Sequence, residues 1–178
     1  MAIYFIRHGQ SEFNAAFKGD VDPLIFDAPL TPLGFDQAAQ TRKTIEELAV
    51  SRVITSPLTR AIQTAITIFD GIAPIEVRHG HHERLTYSGD VGRAPQQLGI
   101  DFPDLAFDHL PTRWWHAHED HNVVVPVEPI ELFENRMAGF VSTLEDIQDE
   151  NIAFVGHGTA FEQIIGYMLN NCQIHRYR

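Results

Sequence analysis

The feature that most constrains the fold is a repeated alternation of short apolar runs with amphipathic helical segments. The predicted strands are Ala2 to Ile6, Ser51 to Thr55, Ile75 to Val77 and Ile152 to Val155. The predicted helices are Pro32 to Ala49, Leu58 to Phe69, Leu132 to Ile147 and Thr159 to Leu169. Parallel strands need a helix-length connection between them, so this order favours a mostly parallel central sheet. We therefore expect an α/β fold, a three-layer α/β/α sandwich.

Two of the predicted helices begin with the same pair of residue types. Thr31 precedes Pro32 and Ser56 precedes Pro57. A threonine or serine side chain can accept a hydrogen bond from a free N–H group of the first turn, and proline at the first helical position loses no hydrogen bond there. Both pairs therefore predict a helix start directly after a strand or loop.

The alternation stops between about Gly80 and Pro129, where Gly, Pro, Asp and His dominate. A chain of 178 residues has the length of one domain, given roughly 150 residues per domain. We therefore predict a single domain over residues 1–178, with a long excursion at about 80–129 that lies over the active site. The pair Trp114 and Trp115 is the expected aromatic anchor of this excursion.

The formal net charge of −11 excludes several classes of partner. Nucleic acids and anionic lipids are bound mainly through neutralisation of phosphate, so we expect neither a nucleic-acid nor a membrane partner. The N-terminal apolar run is too short for a secretory signal, and Cys172 is the sole cysteine, so cytoplasmic localisation is the expectation. Any anionic ligand must be small and held by local positive charge. The oligomeric state stays open.

Charged or titratable groups follow three of the four predicted strands. They are Arg7 and His8 after the first strand, Arg60 after the second, and His157 after the fourth. Ligands of open α/β sheets bind beyond the carboxyl ends of the strands, so these side chains are expected to converge. Two arginines, two histidines and helix N-termini form a cradle for a phosphate dianion. A neutral histidine in such a cradle can also accept a phosphoryl group.

Four segments of the chain together resemble one family. They are Arg7-His8-Gly9-Gln10-Ser11-Glu12-Phe13-Asn14, Leu30-Thr31-Pro32-Leu33-Gly34 with Gln37-Ala38, Ser56-Pro57-Leu58-Thr59-Arg60-Ala61-Ile62-Gln63-Thr64-Ala65, and Gly156-His157-Gly158. The first resembles the Arg-His-Gly-x-Ser/Thr-x-x-Asn signature of the histidine phosphatase superfamily, which includes cofactor-dependent phosphoglycerate mutases. The others resemble later blocks of that family in the same order. The resemblance covers residues 2 to about 169 and implies a phosphoglycerate mutase-like fold.

The resemblance also implies roles for individual residues. His8 corresponds to the phosphorylated nucleophile, and Arg7, Arg60 and His157 correspond to the residues that hold the phosphoryl oxygens. Asn14 is implied as a further phosphate contact.

The family's proton donor is usually a glutamate or aspartate in the segment after the third strand, often preceded by Leu-x. Glu83 is the candidate here, although the leucine is absent, and Asp90 is the competing candidate.

Three histidines, His116, His118 and His121, lie within six residues and suggest a metal site. A closed zinc site needs a fourth ligand and defined geometry, and the sequence offers no partner motif. We therefore predict a solvated polar loop at these histidines, no metal and no cofactor.

These observations predict a metal-independent phosphomonoesterase that hydrolyses a small phosphorylated metabolite through a covalent phosphohistidine at His8. Glu83 would protonate the leaving group and then activate water. Three alternatives stay open at this point: a phosphoglycerate-type mutase, a phosphoprotein phosphatase and a non-catalytic phosphate-binding module.

Overall fold

A computed structural model describes residues 1–120 and 122–178. Its sheet has five strands in the order β3-β2-β4-β1-β5, of which the first four are parallel and β5 pairs antiparallel with β1. The strands are β1 (Ala2–Arg7), β2 (Arg52–Thr55), β3 (Ile75–Val77), β4 (Asn151–Gly156) and β5 (Ile174–Arg176). The predicted α/β class and the mostly parallel sheet are confirmed.

The described residues include six α-helices. They are α1 (Glu12–Ala16), α2 (Pro32–Ile45), α3 (Thr59–Phe69), α4 (Pro95–Asp101), α5 (Ile130–Glu145) and α6 (Gly158–Ile165). Two short 3-10 turns, Glu46–Leu48 and Ser88–Asp90, complete the regular structure. No helix among residues 1–120 and 122–178 is both long enough and apolar enough to cross a membrane.

The three layers follow from the alternation of side chains along β1. Ala2, Tyr4 and Ile6 belong to one buried apolar cluster, together with residues of α2 and α3. Ile3 and Phe5 belong to a second cluster, together with residues of α5 and α6. Successive side chains of a strand point to opposite faces, so helices cover both faces of the sheet.

Two helices end earlier than the sequence pattern predicts. The predicted helix Pro32 to Ala49 is α2 only as far as Ile45 and then tightens into the 3-10 turn Glu46–Leu48. The predicted helix ending at Leu169 stops at Ile165, because Gly166 has a φ of 82° and closes the helix in the left-handed region. The other predicted elements agree with the structure to within two residues at each end.

The predicted cap at Ser56 is wrong. Leu58 is the N-cap of α3, and the side chain that accepts a hydrogen bond from Thr59 N is Asp27, at 2.8 Å, in a loop far away in sequence. The hydroxyl of Ser56 instead lies 2.7 Å from Nε2 of His157. Three elements were not predicted: α1, α4 and the half-exposed edge strand β5.

The excursion packs against the body of the protein through its own apolar cluster. Trp114 is buried in that cluster together with Leu58, the N-cap of α3, and Ile62 of α3, and its Nε1 donates to the carbonyl of Arg93 at 3.0 Å. A side chain at Gly92 would collide with the Trp114 ring, at 2.4 Å. This anchor fixes the part of the excursion that follows Asp90.

Candidate active site

The register of the parallel sheet brings the two site histidines together. Arg7 pairs with Gly156 across β1 and β4, and the N–H of His8 donates to the carbonyl of Gly156 at 2.9 Å. The rings of His8 and His157 therefore lie with their centroids 5.2 Å apart. Both side chains are buried.

Glycine is required where the chain leaves β1. A Cβ atom on Gly9 would lie 2.5 Å from the carbonyl oxygen of Gly34, and one on Gly34 would lie 2.1 Å from the carbonyl oxygen of Gln10. The turn after β1 and the first turn of α2 are thus in backbone contact. This contact explains why glycine occurs at Gly9 in the first family-like segment and at Gly34 in the second.

His8 is held in one tautomer. Its Nδ1 lies 2.7 Å from the carbonyl oxygen of Gly9, which can only accept, so the proton resides on Nδ1 and Nε2 carries the lone pair. Nε of Arg60 donates to that Nε2 at 3.2 Å. Burial lowers the pKa of His8 well below its usual value, and the charges of Arg60 and Arg7 lower it further. The imidazole is therefore neutral and nucleophilic at neutral pH.

The guanidinium of Arg60 is fixed by the excursion. Its Nη1 donates to the carbonyl of Gly89 at 2.5 Å, and its Nη2 donates to Oδ1 of Asp90 at 2.9 Å. Oδ2 of Asp90 accepts from the backbone N–H groups of Thr86 and Tyr87 at 3.2 and 3.1 Å. Asp90 thus contacts Arg60 and its own turn, and its position favours an orienting role.

Two buried side-chain nitrogens in the site have no hydrogen-bond partner. They are Nδ1 of His157 and Nε of Arg7, and among the described residues only one other buried side-chain polar atom, Nε of Arg52, is in this state. Buried polar groups in proteins are otherwise almost always paired. Two such nitrogens beside His8 and Arg60 fit the oxygens of a phosphoryl group. We call Arg7, His8, Arg60 and His157 the phosphate cradle.

Glu83 binds the start of α6, which follows His157 directly. Its Oε2 accepts from Thr159 N, and its Oε1 accepts from Ala160 N and from Arg84 N, each at 3.0 Å. Burial raises the pKa of Glu83 to about 7, the charge of Asp90 raises it as well, and Arg60 and the backbone N–H groups oppose the rise. A carboxyl group with this pKa can donate and accept a proton near neutral pH.

An ion pair holds the segment that carries Glu83. Arg136 of α5 donates to both carboxylate oxygens of Glu128, at 3.0 and 2.8 Å. Nη1 of the same arginine donates to the carbonyls of Gly80 and His82 at 3.2 and 2.9 Å. The two ends of the excursion are thereby tied to one side chain.

Asn14 lies in the first turn of α1, shortly after Arg7 and His8 in the sequence. Its Oδ1 accepts from Ser11 N at 3.2 Å, and Ser11 Oγ accepts from Asn14 N at 3.1 Å, which forms a capping box. Its contact with phosphate stays a prediction.

Two of the three histidines of the predicted polar loop lie in the described part of the chain. His118 is exposed, His116 is half-buried and His121 lies outside the described residues. Residues 1–120 and 122–178 contain no group of three His, Cys, Asp or Glu side chains that could hold a metal ion.

The sequence did not identify Thr64 and Asn171, two residues whose hydrogen bonds support the phosphate cradle. Thr64 Oγ1 accepts from Gly9 N at 3.1 Å and donates to the carbonyl of Arg60 at 2.7 Å. Asn171 Nδ2 donates to the carbonyl of His8 at 2.9 Å. Thr64 could have been found because it is a polar residue on the apolar face of α3. Nothing in the local sequence distinguishes Asn171.

Comparison with known proteins places the chain among phosphate-ester enzymes. The model of the histidine phosphatase superfamily (branch 1) matches residues 3–178. A Hydrogenobacter thermophilus protein named "Putative phosphoserine phosphatase 2" is 26% identical over 165 residues, which cover 92% of this chain and 76% of that protein.

Solved structures show the same fold. A phosphoserine phosphatase from Entamoeba histolytica in complex with 3-phosphoglyceric acid superposes with a TM-score of 0.61 at 21% identity, over 97% of this chain and 88% of the other. An α-ribazole phosphatase from Shigella flexneri superposes with a TM-score of 0.64 at 20% identity, over 98% and 88% of the two chains.

Proposed function

The chain belongs to the histidine phosphatase superfamily, and from this premise we propose that it is a phosphomonoesterase that hydrolyses a small phosphorylated metabolite through a phosphohistidine at His8. Family membership supports a phosphatase or mutase enzyme. The observation that carries the finer proposal is the unprotonated Nε2 of His8, which accepts a hydrogen bond from Arg60 in a site with two buried nitrogens that have no partner.

In the first half-reaction, the lone pair of His8 Nε2 attacks phosphorus in line with the leaving oxygen. The N–P bond forms as the P–O bond to the leaving group breaks, and Glu83 transfers its proton to the departing oxygen. The Nε–H of Arg60 passes from His8 to a phosphoryl oxygen, and Nε of Arg7 can donate to another. Nδ1 of His157 can donate to the third in the tautomer in which the Ser56 hydroxyl donates to its Nε2.

In the second half-reaction, water attacks the phosphohistidine. The Glu83 carboxylate removes a proton from the water as the new P–O bond forms, and the N–P bond breaks with the electron pair returning to His8 Nε2. Inorganic phosphate is released, and Glu83 is again protonated. A pKa of about 7 allows the same carboxyl to serve in both steps.

The proposed substrate is a small phosphate monoester. The net charge of −11 disfavours a large polyanionic partner, and three of the four cradle residues, His8, Arg60 and His157, are buried. The names of the relatives point to phosphoserine and α-ribazole phosphate as the first compounds to assay.

Rapid-quench experiments with ³²P-labelled substrate test the mechanism. We expect a phosphoprotein that is labile in acid and stable in base, formed by the wild type and absent from His8→Ala. Label that persists in His8→Ala would overturn the nucleophile.

Steady-state assays separate hydrolysis from mutase activity. Release of inorganic phosphate from a panel of phosphorylated metabolites and one phosphopeptide is expected to be greatest with a metabolite. Transfer of label to a second position of a sugar acid without release of phosphate would instead establish a mutase. Phosphate binding without phosphorylation of the protein would establish a non-catalytic module.

A further inference from the structure

A turn of the excursion holds both terminal nitrogens of Arg60. The carbonyl of Gly89 accepts from Nη1 at 2.5 Å, and Oδ1 of Asp90 accepts from Nη2 at 2.9 Å. Both acceptors belong to the 3-10 turn Ser88–Asp90. The remaining nitrogen, Nε, donates to Nε2 of His8. An arginine side chain has many rotamers, so the place of this turn determines where the guanidinium points.

The hydrogen bonds within this part of the excursion fix the shape of the turn but not its place. Oδ2 of Asp90 accepts from the N–H groups of Thr86 and Tyr87. The N–H of Val91 donates to the carbonyl of Ser88 at 3.1 Å. All five residues lie in one short segment, so these bonds move with the turn as one piece. The position of the turn relative to the body of the protein must therefore be set by contacts from other segments.

Gly89 has no side chain that could restrict the direction of its carbonyl. Glycine adopts more backbone conformations than any other residue. A Cβ atom on Gly89 would lie 2.7 Å from Cδ2 of Phe13, so glycine is required where the turn packs against α1. The direction of the carbonyl that Arg60 binds therefore depends on the groups that hold the neighbouring residues.

Asp22 connects this turn to another segment of the chain. It lies in the loop 18–29 between α1 and α2, 66 residues before Ser88. Its Oδ2 accepts from Ser88 N at 2.7 Å, and its Oδ1 accepts from Ser88 Oγ at 2.5 Å. Among the described residues, Asp22 and Arg60 are the only side chains from outside the excursion that form hydrogen bonds with the turn.

Polar contacts also hold Asp22 itself. Its Oδ1 accepts from Leu24 N at 2.8 Å, and Leu24 has a φ of 54°, in the left-handed region that few residues with side chains adopt. Burial raises the pKa of Asp22, but the hydrogen bonds from Ser88 and Leu24 outweigh it and hold this pKa below its usual value. The group is therefore a carboxylate at neutral pH. The side chains of Val21 and Leu24 are 68% and 65% exposed, so apolar burial does not secure this part of the loop.

We propose that Asp22 is a positioning residue for the phosphorylation step and that it acts through Ser88 on Arg60. The carboxylate fixes the turn, and the turn directs the guanidinium so that its Nε–H faces the reacting nitrogen of His8. This role rests on the proposed function, in which the same N–H passes to a phosphoryl oxygen. A displacement of about 1 Å in such a group can cost about 10²-fold in rate.

The first experiment removes the carboxylate. Asp22→Ala is expected to slow the single-turnover phosphorylation of His8 about tenfold. The loss should be the same with an alkyl phosphate and with an activated aryl phosphate, because Arg60 binds the phosphoryl group and not the leaving group. Asp20→Ala is the matched control and should keep the wild-type rate, since Asp20 is an exposed aspartate of the same loop. An unchanged rate in Asp22→Ala, or a loss with the alkyl phosphate alone, would overturn the proposal.

A milder variant covers the case in which Asp22→Ala does not fold. Ser88→Ala replaces a buried hydroxyl by hydrogen and removes one of the two hydrogen bonds to Asp22, while Ser88 N keeps the other. We expect a loss of about threefold in the phosphorylation rate. In the Asp22→Ala background the same change should cost nothing further, because its partner is already absent. Wild-type activity in Ser88→Ala would contradict the proposal.

A double-mutant cycle with Arg60→Lys separates positioning from a purely structural role. Lysine lacks the planar fork that the turn directs, so Asp22→Ala should cost twofold or less in the Arg60→Lys background, against about tenfold in the wild type. An equal tenfold loss in both backgrounds would show that Asp22 stabilises the loop without acting on Arg60, and it would overturn the proposal.

The ¹⁵N chemical shift of His8 Nε2 provides a measurement that does not depend on turnover. This nitrogen accepts from Arg60, so at one fixed pH we expect its resonance in Asp22→Ala to move toward that of a nitrogen without a hydrogen bond. Asp20→Ala should leave the resonance in place. A wild-type shift in Asp22→Ala would overturn the positioning role. Failure of His8 to become phosphorylated by any substrate would contradict the proposed function instead, and the chemical shift would then decide by itself whether Asp22 positions Arg60.

Discussion

The ends of the strands and the excursion build the candidate site in different ways. Arg7, His8 and His157 are placed by the backbone register of β1 and β4. Glu83 and Asp90 are placed by hydrogen bonds of their own side chains, to the start of α6 and to Arg60. The difference teaches that three of the four proposed phosphate-binding residues are placed by the scaffold, whereas Arg60 is oriented by the excursion and the proposed proton donor is attached by a few polar contacts.

Because of this contrast, we expect substitutions at the strand ends and in the excursion to reduce activity by different amounts. A change at a strand end removes a group from an otherwise fixed site, because the sheet keeps its hydrogen bonds. A change in the excursion removes a group or lets its neighbours move.

The largest effect is expected for His8→Ala, which removes the nucleophile. Hydrolysis should fall below detection while circular dichroism and thermal unfolding remain close to those of the wild type, since the backbone bonds of β1 persist. His118→Ala, an exposed histidine of the excursion, is the control and should keep full activity. Residual turnover by His8→Ala above the control rate without enzyme would show that the strand end does not carry the chemistry.

Glu83→Gln should slow phosphorylation by an alkyl phosphate by about 10²–10⁴, which is the usual contribution of a general acid. An activated aryl phosphate should be affected far less, because its leaving group needs no proton. Single-turnover measurement is required, since slow hydrolysis of phosphohistidine would mask the difference at steady state. Equal losses with both substrates would move the acid role elsewhere.

Arg60→Lys should reduce the phosphorylation rate roughly 10- to 100-fold, because an ammonium group keeps the charge but loses the planar fork. Arg113→Lys serves as the control, since Arg113 is exposed on the excursion. The comparison of kcat/KM for the two variants measures how much the planar guanidinium of Arg60 contributes to the rate beyond its charge. An Arg60→Lys enzyme as active as the wild type would show that charge alone suffices at this position.

Asp90→Asn should reduce the rate about tenfold, because Arg60 loses one charge-assisted hydrogen bond. In the wild type the phosphorylation rate should fall as the pH rises through about 7, where Glu83 loses its proton. The charge of Asp90 raises the pKa of Glu83, so Asp90→Asn should move this fall to lower pH. An unchanged pH profile with a reduced rate would confine Asp90 to holding Arg60.

The smallest effect is expected from chelators. The positive charge that a metal would supply to phosphoryl transfer is provided by Arg7 and Arg60, so prolonged treatment with EDTA should leave the rate unchanged. Stoichiometric zinc in the purified protein, with activity that is lost on its removal and regained on its return, would contradict this expectation.

The sequence was sufficient for those features that depend on local pattern. The strand ends at Arg7 and His157 could be located because apolar runs and the sheet rule predict where parallel strands end. The position of Arg60 followed in the same way, from a helix start after β2. All three lie beside His8 in the structure.

Contacts between distant segments could not be predicted in this way. Asp27 caps α3 across 32 residues of chain, and Asp90 pairs with Arg60 across 30. No periodicity records such pairs, because they depend on how an irregular loop packs after the sheet has formed. The same reason left Glu83 and Asp90 as competing candidates, and their hydrogen-bond partners are what distinguish them.

The hydrogen bond from Arg60 to His8 has a consequence for chemical selectivity. The Nε–H of Arg60 is hydrogen-bonded to the lone pair of His8 Nε2, the lone pair that would attack. This nitrogen is therefore shielded from a neutral electrophile. A phosphate dianion offers the guanidinium a stronger acceptor and uncovers the imidazole in the act of binding. Reagents that acylate histidines should therefore modify His8 slowly, although its imidazole is neutral at neutral pH.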